Sequence, residues 1–302
     1  MGAGVTELRY VGYAVADFDA ERAFFADPWG LTEVVADDGI AWFAAEGSPQ
    51  PFVVRLRRAN HTGLDALGLS VESAAAVEAL HARLAADPDV KLLGPPARLS
   101  GPGGGYGFNL FDCDGRRLEI AAEVELRAAR QLSRGESIPR ELAHVVLHAP
   151  DRLRTEAFYV EKLGFKISDW IGDFMSFLRC NEVHHRIALL PGPPALNHVA
   201  FEMRSLDEMM RGLTRLRAAG SPMHWGPGRH TAGNNAFSYF GSPNGHVVEY
   251  TAEVERVDDA AWTPTRYTPS REIMDQWGTA EGGPERMPHP RADPGLWQPP
   301  AA

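Results

Sequence analysis

No stretch of this 302-residue chain approaches the roughly 20 consecutive apolar residues that a membrane-spanning helix needs. The opening residues, MGAGVTELRYVGYAV, lack the basic region and apolar run of a secretory leader, so the expected location is the cytoplasm. A basic stripe is missing as well. The net charge of −10 excludes nucleic acid and anionic membranes as partners, because those surfaces attract clustered Lys and Arg that displace counterions. Cysteine is scarce: Cys113 and Cys180 stand far apart in unlike contexts, which excludes a disulfide framework and leaves two ordinary buried thiols. The glycine-rich GPGGGYG at 101–107 lacks the Lys-Ser/Thr and the strand-to-helix setting of a phosphate loop, and reads as a connector.

What is present is the balance of a soluble globular protein, 44% hydrophobic and 23% charged, with length for two domains. Two segments begin alike, LRYVGYAVADFDAERAFFADPWGL from Leu8 and LAHVVLHAPDRLRTEAFYVEKLGF from Leu142. Each reads as an apolar strand, a turn at an Asp, a helix, then Gly-Leu or Gly-Phe ahead of another strand. They also end alike, in FDCDGRRLEIAAEVE and FGSPNGHVVEYTAEVE. Self-similarity over this length marks a duplicated domain. Within each copy the pattern recurs, with helices carrying Ala75, Val77, Leu80 and Leu84, or Met209, Leu213 and Leu216, at helical spacing. The expected fold class is therefore α+β, with four βαβββ modules in two domains. Residues 1–132 form the first domain, 133–140 a linker, 141–256 the second domain and 257–302 a Pro/Gly-rich tail.

The copies differ in chemistry. Laid over each other, His144 falls on Tyr10, His198 on Ala66 and Glu249 on Glu119, so a His/His/Glu set is complete only in the second copy. Eight of the eleven histidines lie between His144 and His246, a bias that incidental core histidines have no reason to show. Each candidate sits on a separate predicted strand, so three strands of one curved sheet can converge on an ion. Two imidazoles and a carboxylate on one face of a metal are typical of non-haem Fe(II) oxygenases and leave positions for substrate and oxygen. A carboxylate in an apolar strand is costly unless paired or ligated, which makes Glu249 the most telling of the three.

Residues 141–256 resemble the catalytic domain of the type I extradiol catechol dioxygenases of the vicinal oxygen chelate superfamily, the fold of glyoxalases and bleomycin-resistance proteins. Residues 8–125 resemble their N-terminal domain without a metal site. The resemblance implies two tandem domains of that fold, with His144, His198 and Glu249 as ligands of Fe(II), or of Mn(II), which fits the same donors. It further implies His185 in VHHRIAL, His230 in GPGRHTAGNN and Tyr239, nine residues on and ten before Glu249, as the catalytic side chains. The reaction implied inserts both atoms of O2 into a catechol-type aromatic diol in aromatic catabolism. A homo-oligomer is the assembly it implies.

On that reading His185 is the acid–base residue, since an ordinary histidine pKa near ~6.5 suits both halves of a proton transfer. Replacing it is expected to spare metal binding and slow turnover about 10²-fold or more. In EVHHRIALL, strand alternation places Val183, His185, Ile187 and Leu189 on one face and His184 and Arg186 on the other. The apolar face is the inner one, so His185 is expected in the cavity and His184 on the other face, towards solvent or a neighbouring segment. DWIGDFMSFLRC supplies Trp170, Phe174, Met175 and Phe177 as candidate pocket residues. Trp225 stands where relatives that accept carboxylated catechols carry an arginine, which favours a neutral or apolar substrate. The tail cannot build a core; Trp262 and Trp277 are expected to anchor it as a candidate lid, and its last ~15 residues to be mobile. A glyoxalase-like metal-dependent isomerase and a metal-free sequestering protein are the alternatives on this fold, and neither calls for the His185, His230 and Tyr239 set.

Overall fold

The computed structural model describes residues 4–298; the first three residues of the expected N-terminal domain and the last four of the tail lie outside that range. Four modules follow one another. The first is β1 (Glu7–Val15), α1 (Phe18–Ala26), β2 (Thr32–Asp37), β3 (Ile40–Ala44) and β4 (Val54–Arg58). The second is β5 (Gly63–Ser70), α2 (Ala74–Ala85), the short β6 (Lys91–Leu92) and β7 (Ala97–Arg98), then β8 (Tyr106–Phe111) and β9 (Arg117–Ala122). The third is β10 (Pro139–Ala149), α3 (Arg152–Ala157) running into a π-turn at Phe158–Lys162, β11 (Lys166–Ile171), β12 (Met175–Arg179) and β13 (Ile187–Pro191). The fourth is β14 (Ala195–Met203), α4 (Leu206–Ala218), β15 (Met223–Arg229), β16 (Ala236–Gly241) and β17 (Val247–Ala252).

The repeat is visible in its helix starts. Asp17 and Asp151 cap α1 and α3, accepting from the amides of Ala20 and Arg154, and Ser73 and Ser205 cap α2 and α4 in the same way. In each module the first strand pairs in parallel with the last, β1 with β4, β5 with β9, β10 with β13 and β14 with β17. Two modules then join through their first strands, β1 antiparallel to β5 and β10 antiparallel to β14. The result is two open sheets, one of nine strands in the first half and one of ten in the second. Their helix-covered sides share one apolar cluster: the Trp29 ring lies 4.1 Å from Tyr250, whose hydroxyl donates to the Trp29 carbonyl, and Phe25 meets Phe201.

The tail, read as unable to build a core, instead extends the second sheet at both edges. Its β18 (Thr265–Tyr267) adds parallel to β11, and beyond α5 (Arg271–Met274) its β19 (Glu281–Gly282) adds antiparallel to β15. Trp262 anchors it through an indole N–H to Ser168 O at 2.8 Å, as expected of a large aromatic in a polar stretch. Of the stretch expected to be mobile, the part up to residue 298 is held: Asp293 Oδ2 accepts from Leu196 N at 2.7 Å, and the Trp297 ring stacks on Phe111 at 5.5 Å, while residues 299–302 lie outside the described residues. No helix among the described residues is long and apolar enough to cross a membrane. Cys113 and Cys180 are free and half-buried.

Candidate metal centre

Strand register builds the centre. Across four neighbouring strands, β10, β14, β17 and β16, His144 pairs with Ala200, Ala200 with Glu249 and Glu249 with Tyr239. Laterally paired residues share a face, so these four side chains form one row, and His198, two residues before Ala200, joins it on the same face. The small Ala200 leaves space between the ligands. Donor atoms of His144, His198 and Glu249 all lie within 4.8 Å of one another. His144 Nε2 and His198 Nε2 stand 3.3 and 3.1 Å from Glu249 Oε2.

The first half carries the same row with different contents. Tyr10 pairs with Gly68, Gly68 with Glu119 and Glu119 with Asn109. Here the Tyr10 ring lies on Gly68 so closely that a Cβ there would come within 2.1 Å of it. The Tyr10 ring occupies the ground that lies over Ala200 in the second half, and Arg9 Nη1 approaches Glu119 at 3.4 Å, the guanidinium standing where a cation is needed.

Whether the residues of the second half suit a metal is decided by their unsatisfied atoms. Glu249 is fully buried, and neither of its oxygens accepts a hydrogen bond; His198 Nε2 is likewise without a partner. A buried carboxylate facing two imidazole nitrogens, with neither oxygen in a hydrogen bond, is an arrangement that a divalent cation would satisfy. Burial works upwards on the Glu249 pKa, but His144 and His198 outweigh it and hold the carboxyl below its usual range. Two nitrogens and one oxygen suit Fe(II), Mn(II) or Zn(II). His198 is aligned for this by its neighbours. Its Nδ1 lies 2.5 Å from Asn197 Oδ1, Asn197 Nδ2 lies 2.7 Å from His148 Nε2, and His148 Nδ1 lies 3.1 Å from the Pro191 carbonyl.

Above the three residues lies a cavity of about 430 Å³. His185 flanks it on the His144 side, ring centroids 4.2 Å apart, and Tyr239 on the His198 side at 4.9 Å. Tyr239 donates its O–H to His230 Nε2 at 2.9 Å, and His230 donates Nδ1–H to Met274 O at 2.7 Å. His230 stacks on Phe237 at 3.9 Å and Tyr239 lies parallel to Trp225 at 5.3 Å, so both rings are held flat against aromatic neighbours. Burial pushes the imidazole of His185 well down and that of His230 to about 4, and drives the Tyr239 phenol up. All three are thereby held in their neutral forms.

Of the expected pocket residues, Phe174, Met175 and Phe177 line the cavity, and Trp170 does not. Alternation along β11 gives the inward position to Ile171. Trp170 points the other way, donating its indole N–H to Glu156 Oε2 at 3.2 Å under the Arg266 guanidinium. His184 is fully buried against neighbouring segments rather than turned to solvent, and it departs from expectation in meeting His185, where alternation had the two pointing apart. The chain is not a strand at this point, since β13 begins only at Ile187, and a bend lets both histidines turn inward. Residues that sequence reasoning did not reach include Ile171, Leu190, Ile273, Met274 and Met287 on the cavity wall. The last three were detectable as isolated apolar residues in an otherwise polar tail. No Arg, Lys, Asp or Glu is among the described residues lining the cavity.

Residues 141–250 match the family model of the Glyoxalase/Bleomycin resistance protein/Dioxygenase superfamily. The chain is 30% identical over 286 residues to the biphenyl-2,3-diol 1,2-dioxygenase of Paraburkholderia xenovorans (strain LB400), covering 87% of this chain and 92% of that protein. It is also 30% identical to metapyrocatechase 2 of Cupriavidus necator, over 61% of this chain and about half, 52%, of that protein. Among solved structures, the Mn(II)-bound glyoxalase from Novosphingobium aromaticivorans superposes with a TM-score of 0.95 at 52% identity, over 98% of each chain.

Proposed function

Because this chain belongs to the extradiol dioxygenase family within the glyoxalase/bleomycin resistance/dioxygenase superfamily, we propose that it is a metal-dependent dioxygenase that opens a neutral, apolar-substituted catechol. The observation that carries the reading is the placement of His185 and Tyr239 on two flanks of a three-ligand centre at the floor of an apolar cavity. Residues 141–256 are then the catalytic unit and residues 1–132 a copy that has lost its centre. His144, His198 and Glu249 hold the ion, which we take to be Fe(II), with Mn(II) as the competing ion in view of the glyoxalase structure. When bound, such an ion supplies one meeting point for a catechol and O2 and lets electron density pass between them.

The chain's own residues do the rest. Ile171, Phe177, Leu190, Ile273 and Met274 enclose the ring and keep water off it. His185, neutral through burial, accepts a proton from a catechol hydroxyl and returns one as the ring opens. Tyr239 and His230, already bonded to each other, exchange that bond for one to the substrate's oxygens and set the ring's orientation. Both oxygen atoms of O2 enter the product, and the ring carbon–carbon bond beside the diol breaks.

A metal-dependent isomerase is the second reading, favoured by the likeness to the 52%-identical glyoxalase. A glutathione thiohemiacetal brings two carboxylates, and no Arg or Lys among the described residues lines this cavity to receive them. Anaerobically iron-loaded protein mixed with 2,3-dihydroxybiphenyl in air tests both. Oxygen uptake with a yellow ring-opened product supports the dioxygenase. Isomerisation of the methylglyoxal–glutathione adduct, with no oxygen consumed across a panel of catechols, overturns it.

A further inference from the structure

His184 has no part in the centre described above, yet it is fully buried and fully hydrogen-bonded. Its Nε2 lies 2.8 Å from Asp169 Oδ2, and its Nδ1 lies 3.0 Å from His185 Nδ1. Asp169 is buried as well, and its other oxygen accepts the Thr265 amide at 2.6 Å, so the first strand of the tail fixes the carboxylate in place. Trp262 and Phe177 wall the His184 ring, each 5.6 Å away, and Gly233, at φ +79, leaves no room for a side chain beside the pair, since a Cβ there would stand 3.1 Å from His184 Nδ1 and 3.2 Å from His185 Cε1.

We infer that Asp169 and His184 are positioning residues that hold His185 in one tautomer, with Nε2 bare towards the cavity. The direction follows from donor counting. A carboxylate accepts only, so the bond to Asp169 requires a proton on His184 Nε2. With a lone pair on His184 Nδ1, the 3.0 Å contact places the proton of that bond on His185 Nδ1, whereas an imidazolium at His184 would donate instead and leave the His185 proton on Nε2. With His184 neutral, His185 Nε2 is left unprotonated and ready to accept. Fixing a tautomer through a buried carboxylate changes a rate without contacting substrate, because the wrong tautomer offers an N–H where a lone pair is needed. The inference rests on the proposed proton transfer by His185 for its effect on rate, but not for its effect on the tautomer.

The two are separated by experiment. Full-length protein labelled with 15N-histidine and loaded with diamagnetic Zn(II) is expected to show His185 with a protonated Nδ1 and a bare Nε2 in imidazole nitrogen NMR. His184→Phe, which keeps a ring and removes the acceptor, is expected to mix the His185 tautomers. In iron-loaded protein that variant is expected to lower kcat on 2,3-dihydroxybiphenyl about 10- to 100-fold with KM within about twofold. His184→Gln, whose amide oxygen can accept from His185, recovers part of the loss, which a purely structural defect does not predict. Asp169→Asn, nearly isosteric, shifts the tautomer in the same sense should His184→Phe fail to fold. A protonated Nε2 on His185 in the unmutated protein overturns the relay whatever the activity. A tautomer lost in His184→Phe with kcat unchanged leaves the relay standing and instead removes His185 from the proton transfer.

Discussion

His198 Nδ1 and Asn197 Oδ1 are 2.5 Å apart, although adjacent residues of a strand ordinarily point to opposite faces. The Asn197 amide bends back along the strand and takes the one imidazole nitrogen that a metal does not need. Its own N–H goes to His148, and His148 ends on the Pro191 carbonyl, so every donor in the chain meets an acceptor.

Breaking this chain should therefore weaken the ion rather than the fold. Asn197→Ala is expected to lower metal affinity about 10- to 100-fold, the usual effect of removing a ligand's hydrogen-bond partner. Chelator competition measures it, with the thermal midpoint of the metal-free protein as the control for folding. Unchanged affinity would show that His198 keeps its orientation without Asn197.

Ala200 stands between His144 and Glu249 in the lateral row, where any larger side chain enters the centre. Ala200→Leu is expected to lose most bound metal and to destabilise the metal-free protein by about 1–3 kcal/mol through overpacking. Ala200→Gly should keep its metal. Metal content by elemental analysis, beside circular dichroism, decides the matter; a Leu variant that binds metal normally would refute the shared face.

Glu141 and Glu202 are cross-strand partners, and Arg140 bonds Glu141 at 2.7 Å. Burial and the Glu141 charge push Glu202 up to about 7, while at Glu141 itself burial is outweighed by Arg140, which holds that carboxyl below its ordinary range. A carboxyl whose folded pKa is raised favours the folded state in its protonated form. The Glu202 contribution is thus full below the ordinary carboxylate range and is lost as pH rises towards about 7. Glu202→Gln, neutral throughout, is expected to raise the thermal midpoint at pH 8 and to change it little at pH 5. Equal shifts at the two pH values would sink this account.

The candidate triad was legible because its chemistry is tied to a repeat: the His/His/Glu set is complete in one copy, while the other keeps only the carboxylate, Glu119. Strand spacing then places them on one face without knowledge of the rest. His185 was legible by alternation even though the local backbone is a bend, and the same premise misplaced His184. Trp170 failed through parity, for β11 slips register between Ile167 and Asp169, and composition alone does not reveal which residues then face in. Asp169, Asn197 and His148 were hidden for another reason. Each is an ordinary polar residue whose meaning lies in a partner, and for Asp169 that partner is fifteen residues away. The tail misled by its proline content, which argues against a core of its own but not against strands added to an existing sheet.

The charge of the cavity wall bears on the substrate class proposed above. With no Arg or Lys among the described lining residues, a carboxylate on the catechol ring would be buried without a guanidinium or ammonium to pair with. Leaving a charged group so placed costs upwards of about 1–3 kcal/mol, or roughly a factor of ten to a hundred and more in affinity. A catechol bearing a phenyl or alkyl group instead buries apolar area against Phe177, Ile273 and Met274. Steady-state oxygen uptake is therefore expected to give a kcat/KM for 3,4-dihydroxyphenylacetate at least about 10²-fold below that for 2,3-dihydroxybiphenyl. The gap should lie mainly in KM, because the missing partner penalises binding before any proton moves. Comparable values for the two substrates would mean that a cation reaches the ring from elsewhere, and the apolar reading of the site would fall.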